Sequence, residues 1–162
     1  MITEAEHDIW ITGSGKEIKF SELCKSLNPL LEEGSKLFIG SDSNISKRKI
    51  TFCKTICVYG RSSHSKYFFK RTKVDFKKFP NLISRITEEA RLSIELAEYL
   101  TSEHMVPTKM IELHLDVSST NLNHKTSKFC DMLKGYVNGA GFECKIKPNA
   151  WASQSIADKH SK

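Results

Sequence analysis

Residues 36–44 read KLFIGSDSN. Leu37, Phe38 and Ile39 follow one another without a polar break, so an extended chain here is apolar on both faces. That is what a central strand covered on both sides requires. Asp42, Ser43 and Asn44 have turn chemistry and read as the end of the strand.

Working outward from this run, the next segment is RKITFCKTICVY, Arg48–Tyr59. Ile50, Phe52, Ile56 and Val58 fall on one face at period two, with Lys54 the exception. Residues 60–65 form a turn, and Lys66–Val74 is a second β-rich run, so the two read as a hairpin. Asn81–Thr101 is a long helix with Leu82, Ile86, Ala90, Ser93, Ala97 and Leu100 along one stripe. After Pro107, Met110–Val117 (MIELHLDV) alternates: Ile111, Leu113 and Leu115 on one side, Glu112, His114 and Asp116 on the other. A helix follows from about residue 125 to 138, with Phe129, Leu133, Tyr136 and Val137 inward, closed by Gly139 and Gly141. Phe142–Lys147 is a last strand, and the tail from Asn149 is helical. Upstream lies a leader, residues 1–34, with an extended pair around Gly13-Ser14-Gly15 and a helix from Ser21 to Glu33. The main domain is residues 35–162. Strands in direct succession pair antiparallel, and strands separated by helices enter the sheet in parallel. The expected fold is α/β: a mixed five-stranded sheet, three strands antiparallel and the others parallel, flanked by helices.

The 162 residues suit one domain, and 39% apolar with 27% charged residues is the balance of an ordinary globular protein. No apolar run is long enough for a membrane helix. Residues 1–10 lack the layout of a signal peptide, so the expected location is cytoplasmic. Five cysteines, Cys24, Cys53, Cys57, Cys130 and Cys144, are odd in number and contain no C-x-x-C pair, and are read as reduced and largely buried. The net charge of +6 is unevenly spread: residues 41–80 hold 11 basic and 2 acidic groups. Such density is an electrostatic footprint for a polyanion; the plainer reading is a solvated lysine-rich face.

Two strands expected to lie parallel each run into an aspartate, Asp42 and Asp116. Ligands in such sheets sit beyond the carboxyl ends of the strands, where neighbouring backbones are roughly 4.8 Å apart. Two carboxylates converging there repel each other unless a hard cation such as Mg²⁺ sits between them. The long helix offers Glu88, Glu89, Glu95 and Glu98, of which Glu89 stands at the edge of the buried stripe and leans toward the sheet. Glu88 and Glu95 project from the opposite side. The tail adds Asp158 and His160. Taken singly each is an ordinary surface charge; the order strand-Asp, helix-Glu, strand-Asp, helix-Asp is more specific.

The stretches LFIGSDSN, RITEEARLSIELAEYL, IELHLDVSS and GAGFECKIKPNAWASQSIADKHSK span nearly the whole chain. Through them the sequence resembles the ribonuclease H-like superfamily, most closely its bacterial YkuK-type branch. The resemblance implies the ribonuclease H-like form of the mixed five-stranded sheet. It also implies two metal ions, Mg²⁺ or Mn²⁺, held by Asp42, Glu89 (with Glu95 as fallback), Asp116 and Asp158. Asn149 stands where many relatives have an acidic residue, a departure from the pattern.

The expected activity is metal-dependent hydrolysis of phosphodiester bonds in nucleic acid, whether RNA, DNA or a hybrid. Two ions about 3.5–4 Å apart would clamp the phosphate, with Asp42 bridging both. His160 is a candidate proton shuttle, against the reading of a surface histidine without a role. His114 is either a support for Asp116 or a packed histidine. Asn44, Lys47, Arg48 and Lys49 are expected to contact nucleic acid beside the site. Tyr67, Phe68 and Phe69 either stack on bases or belong to the core. The alternatives are a non-catalytic nucleic-acid-binding module of the same fold and a structural adaptor. An actin-like phosphotransferase needs two such domains and glycine-rich phosphate loops, and the sequence has neither.

Overall fold

The computed structural model describes residues 7–60, 65–118 and 129–162. Three long strands form an antiparallel meander: β3 (Lys36–Ser46), β4 (Lys49–Tyr59) and β5 (Lys66–Asp75). On the other side of β3 lies β6 (Ile111–His114), parallel to it, and β7 (Glu143–Lys145) is parallel to β6. The sheet has seven strands rather than five. The leader hairpin, β1 (Ile9–Thr12) and β2 (Glu17–Lys19), adds to the free edge of β5 through Ile11–Phe69 and Thr12–Phe68, in the order β2-β1-β5-β4-β3-β6-β7. An apolar pair on β5 and Trp10 beside it make that edge worth covering; Trp10 is only 2% exposed.

β3 also runs further than its composition suggests. Asp42 does not end it: the ladder with β4 continues from Lys36–Tyr59 to Ser46–Lys49, and Asp42 pairs with Cys53. The polar residues stay extended because Ile50 and Phe52 of β4, both buried, anchor the partner strand. The turn is only Lys47 and Arg48, with φ of 49° and 62°. Both residues are left-handed, as the two-residue I′ hairpin turn requires.

Alternation sorts the sheet into two faces. Leu37, Ile39, Ile56, Val58, Ile111 and Leu113 share one core with residues of α1 (Phe20–Glu32), α2 (Leu82–His104) and α3 (Cys130–Gly139). In α3 the buried residues are Cys130, Leu133 and Val137, whereas Tyr136, expected inward, is 45% exposed. The part of that helix expected before residue 129 lies outside the described residues. Lys54, the exception on the β4 face, places its ammonium over the Trp10 ring, 5.7 Å from the centroid. All five cysteines are free. Among the described residues no helix is long and apolar enough to cross a membrane.

The second face is covered by the last segment of the chain, a π-helical stretch Ala152–Ala157 running into α4, Asp158–Ser161. Phe38, His114 and Tyr59 pack around Trp151 at its start.

α2 begins with a reciprocal cap. The Asn81 side chain accepts from the Ser84 backbone N–H at 2.8 Å, and Ser84 Oγ accepts from the Asn81 N–H at 3.4 Å. Asn81→Ala leaves one helix N–H without its partner and is expected to lower stability by about 1 kcal/mol in denaturant titration.

Candidate metal centre

β3 and β6 pair in register from Leu37–Ile111 to Gly40–His114, and there β6 stops. Two residues further on, Asp42 and Asp116 stand at matching positions on either side of the opening. The chain beyond β6 is held by Leu115 N–H to the Lys145 carbonyl and by Lys147 N–H to the Val117 carbonyl, both 2.9 Å. Asp42 is only 7% exposed. Burial first, then the Asp116 carboxylate, push its pKa from 3.8 up to about 7; Asp158 adds to the effect, and a hydrogen bond from Ser161 opposes it.

Glu89 enters from the helical side. Ser43, one residue beyond Asp42 and therefore on the opposite face, donates its hydroxyl to Glu89 Oε1 at 2.6 Å. One turn along, Ser41 and Ser93 hydroxyls meet at 2.8 Å, which keeps α2 close to β3. Glu89 is buried, and its carboxyl is raised well above the ordinary 4.5, by burial first and then by Asp42 and Asp116. Glu89 and Asp116 line one small cleft, about 10 Å³, with Ser41, Ser93 and His114.

Asp158 enters from the other face. Ser161 Oγ sits 3.1 Å from Asp42 Oδ2 and 3.0 Å from the Asp158 carbonyl, so α4 is tied to β3 at the site itself. That docking is prepared upstream. The Ala152 N–H donates to His114 Nδ1 at 3.0 Å, which leaves Nε2–H to donate to Glu112 Oε1 at 2.9 Å. Thr55 Oγ1 reaches the Ala152 carbonyl at 3.3 Å. His114 therefore fastens the tail to the sheet; burial lowers its pKa, which keeps Nδ1 free to accept.

Asp42, Glu89, Asp116 and Asp158 are thus gathered around the opening between β3 and β6. Glu95 is not among them: Arg91 holds it, with Glu88, on the outer surface of α2. His160 turns to the sheet, its ring stacked on Phe69 at 3.7 Å and Nε2 3.2 Å from the Tyr67 hydroxyl. Asn149 is exposed. Lys47 and Arg48 lie at the hairpin tip, five to six residues beyond Asp42, or roughly 17 Å along the strand, and not beside it. Ser43 and Ser161, which hold the two buried carboxylates, escape a sequence reading because serine carries no chemical signature of its own. The Ser-Asp-Ser context of Asp42 was the available hint.

Two carboxylates are neutralised within the chain. Lys147 Nζ lies 2.7 Å from Asp116, and Lys162 Nζ lies 3.2 Å from Asp158. Among the described residues no three His, Cys, Asp or Glu side chains converge closely enough, as they stand, to hold a metal ion. The donor set nonetheless has the right chemistry for a hard divalent cation: carboxylate and hydroxyl oxygens, with Asp42 and Glu89 buried beside like charges, Glu89 accepting from the Ser43 hydroxyl and Asp42 from the Ser161 hydroxyl and the Ser43 backbone. Cys53, paired with Asp42, is pushed up to about 12, chiefly by burial, and is an inert thiol.

Neither a curated protein nor a solved structure matches the chain significantly. The family model described as Ribonuclease H-like matches residues 20–162. With that match over most of its length, and with a mixed sheet flanked by helices, the chain belongs to the ribonuclease H-like family.

Proposed function

We propose that this protein is a divalent-metal-dependent nuclease, with Asp42, Glu89, Asp116 and Asp158 as the residues that would hold two Mg²⁺ or Mn²⁺ ions. The observation that carries the reading is the burial of Asp42, only 7% exposed, beside Asp116 and Asp158 and across the strand from Glu89, with no basic side chain bonded to it among the described residues. A site in which like charges are buried together is unfavourable by itself and becomes favourable on binding a cation. When bound, such ions supply a water of lowered pKa and neutralise charge on the phosphate.

The chain's own contribution is position. β3 brings Asp42 to the centre, α2 brings Glu89 from one face and α4 brings Asp158 from the other. Ser43 and Ser161 orient the two buried carboxylates by donating to them. Lys147 and Lys162 pair with Asp116 and Asp158, and both would have to yield for those carboxylates to hold a cation.

The test is a panel of RNA, DNA and hybrid substrates incubated with Mg²⁺ or Mn²⁺, with Asp42→Asn and Asp116→Asn purified in parallel. Cleavage by the parent is expected, with none in either variant. Equal cleavage by all three proteins would assign the activity to a contaminant and end the proposal. The lysine pairing of Asp116 and Asp158 favours one second reading, a nucleic-acid-binding module without catalysis. It requires binding that Asp42→Asn leaves intact, and no cleavage under any metal.

A further inference from the structure

Past the end of β6, the outer halves of β3, β4 and β5 continue as a three-stranded arm. One face of the arm is closed by Phe52 against Phe79. The other face is the one on which Asp42 lies. Strand register places Asn44 and Ser46, Thr51 and Lys49, and Arg71 and Lys73 on it. Lys47 and Arg48 crown it at the turn. Beyond Asp42, the acidic residue of this face among the described residues is Asp75, at its margin and 3.9 Å from Lys49. Among the described residues Lys47, Arg48, Arg71 and Lys73 form no ion pair, and all four are exposed.

The turn supplies an independent observation. Both Lys47 and Arg48 have left-handed backbone. In a turn of this class Asn-Gly adopts that backbone with little strain, whereas long side chains are held there at a cost to the fold. Two cations have been placed where the hairpin would be more stable without them, and strain kept at one site points to a function for the residues that bear it.

We propose that this face of the arm binds the phosphate backbone of a double-stranded nucleic acid and leads it to the carboxylates, an inference that rests on the nuclease reading for its destination. Single-strand sites interleave cations with aromatic platforms on which bases stack. The arm beyond Asp42 offers charges, an amide and hydroxyls, and the ring that Arg71 overlies, Phe69, is already covered by His160. Tyr67 and Phe69, further along the same face of β5, are occupied by His160, and Phe68 is buried on the opposite face. Charged, amide and hydroxyl side chains in a strip supply the contacts to phosphate and sugar that hold a backbone in place. The strip is roughly 17 Å from Asp42 to the tip, longer than the roughly 12 Å width of a major groove, so one strip reaches phosphates on both rims.

The test uses the full-length protein in EDTA with fluorescent 20-mers: duplex RNA, duplex DNA, hybrid, and the corresponding single strands. At least one duplex is expected to bind tighter than either of its strands. Arg71→Ala/Lys73→Ala is expected to weaken duplex binding about tenfold near 0.15 M salt and to lower the log–log salt slope by about 2, one step per lost phosphate contact. Lys16→Ala/Lys109→Ala, the same charge loss away from the arm, is expected to change it little. Lys47→Asn/Arg48→Gly is expected to weaken binding while raising Tm by about 3 °C, a combination that misfolding cannot produce. Single strands binding as tightly as duplexes, equal losses in the distant control, or full binding by the turn variant would each overturn the proposal. Absence of cleavage with arm-dependent duplex binding would remove the nuclease reading and leave this one standing. Cleavage with arm-independent binding would do the reverse.

Discussion

Metal-free protein is expected to lose stability between pH 5 and pH 8, and Mg²⁺ is expected to restore it at the upper end only. The cause is the Asp42 carboxyl, whose pKa is about 7 in the fold against an ordinary 3.8. Between those values the folded state keeps the proton that the unfolded chain has released, so stability falls as pH rises across that window and levels off above about 7. The difference is worth about 4 kcal/mol from Asp42 alone. Glu89, raised by burial and by Asp42, moves in the same direction. His114 moves in the opposite one: its pKa is lowered by burial, so acid charges the unfolded chain first and stability drops as pH falls below about 6.5. The metal-free optimum is therefore expected on the acid side of neutrality. Thermal unfolding across pH 5–8, with EDTA or with Mg²⁺, measures this. Asp42→Asn cannot ionise yet can still accept from Ser161. At pH 8 without metal it is expected to be more stable than the parent by a few kcal/mol and to gain nothing from Mg²⁺, whereas the parent gains about 3 kcal/mol at a hundredfold excess over Kd. A flat profile for the parent, or equal metal stabilisation of both proteins, would show that the carboxylates do not form a cation site.

Much of this arrangement was legible in residue order. The apolar run through Leu37–Ile39 and the alternation through Ile111–Leu115 mark two buried strands; the first leads three residues later to Asp42 and the second directly to Asp116, both on one side of the sheet. Glu89 was legible from its angle on the helix, because burial of Ile86, Ala90 and Ala97 leaves it facing β3. What escaped was non-local. Nothing in Ile9–Thr12 names its partner on β5, so the leader hairpin read as separate from the sheet. Asp42-Ser43-Asn44 has turn composition, and only the ladder to β4 keeps it extended. Asp158 follows a π-helical stretch at Ala152–Ala157, a widened turn that a helical wheel of 3.6 residues does not anticipate, and it is Ser161 beyond it that bonds Asp42. The basic block was visible in composition, but Arg71 and Lys73 join Asn44 on one face only through the register of three strands, two residues at a time.

The most damaging small substitution is expected at Gly40. A Cβ there would lie 2.6 Å from Ser153 N, 2.7 Å from Ala152 C and 2.9 Å from Ala152 O, all backbone atoms. Neither side can give way cheaply. β3 is paired on both flanks at this position, with Thr55 on β4 and His114 on β6. The Ala152 peptide is held by His114 Nδ1 at its N–H and by Thr55 Oγ1 at its carbonyl. Since the ladder is the stiffer partner, Gly40→Ala lifts the last segment off the sheet. Overpacking together with two buried hydrogen bonds lost is expected to lower stability by about 3–5 kcal/mol. The loss reaches the site, because the same segment carries Ser161 to Asp42, Asp158 to the opening and His160 onto Phe69. Gly135→Ala is the control. It lies in α3 with nothing within 4 Å of an added Cβ, and in a helix the exchange is expected to stabilise by about 0.5–1 kcal/mol. Denaturant unfolding gives both numbers. Limited proteolysis shows whether cuts concentrate after Asn149, and Mg²⁺-induced stabilisation shows whether the cation site has gone with the segment. Wild-type stability in Gly40→Ala would mean that the last segment does not rest on β3, and with it would go the route by which Asp158 reaches the other three carboxylates.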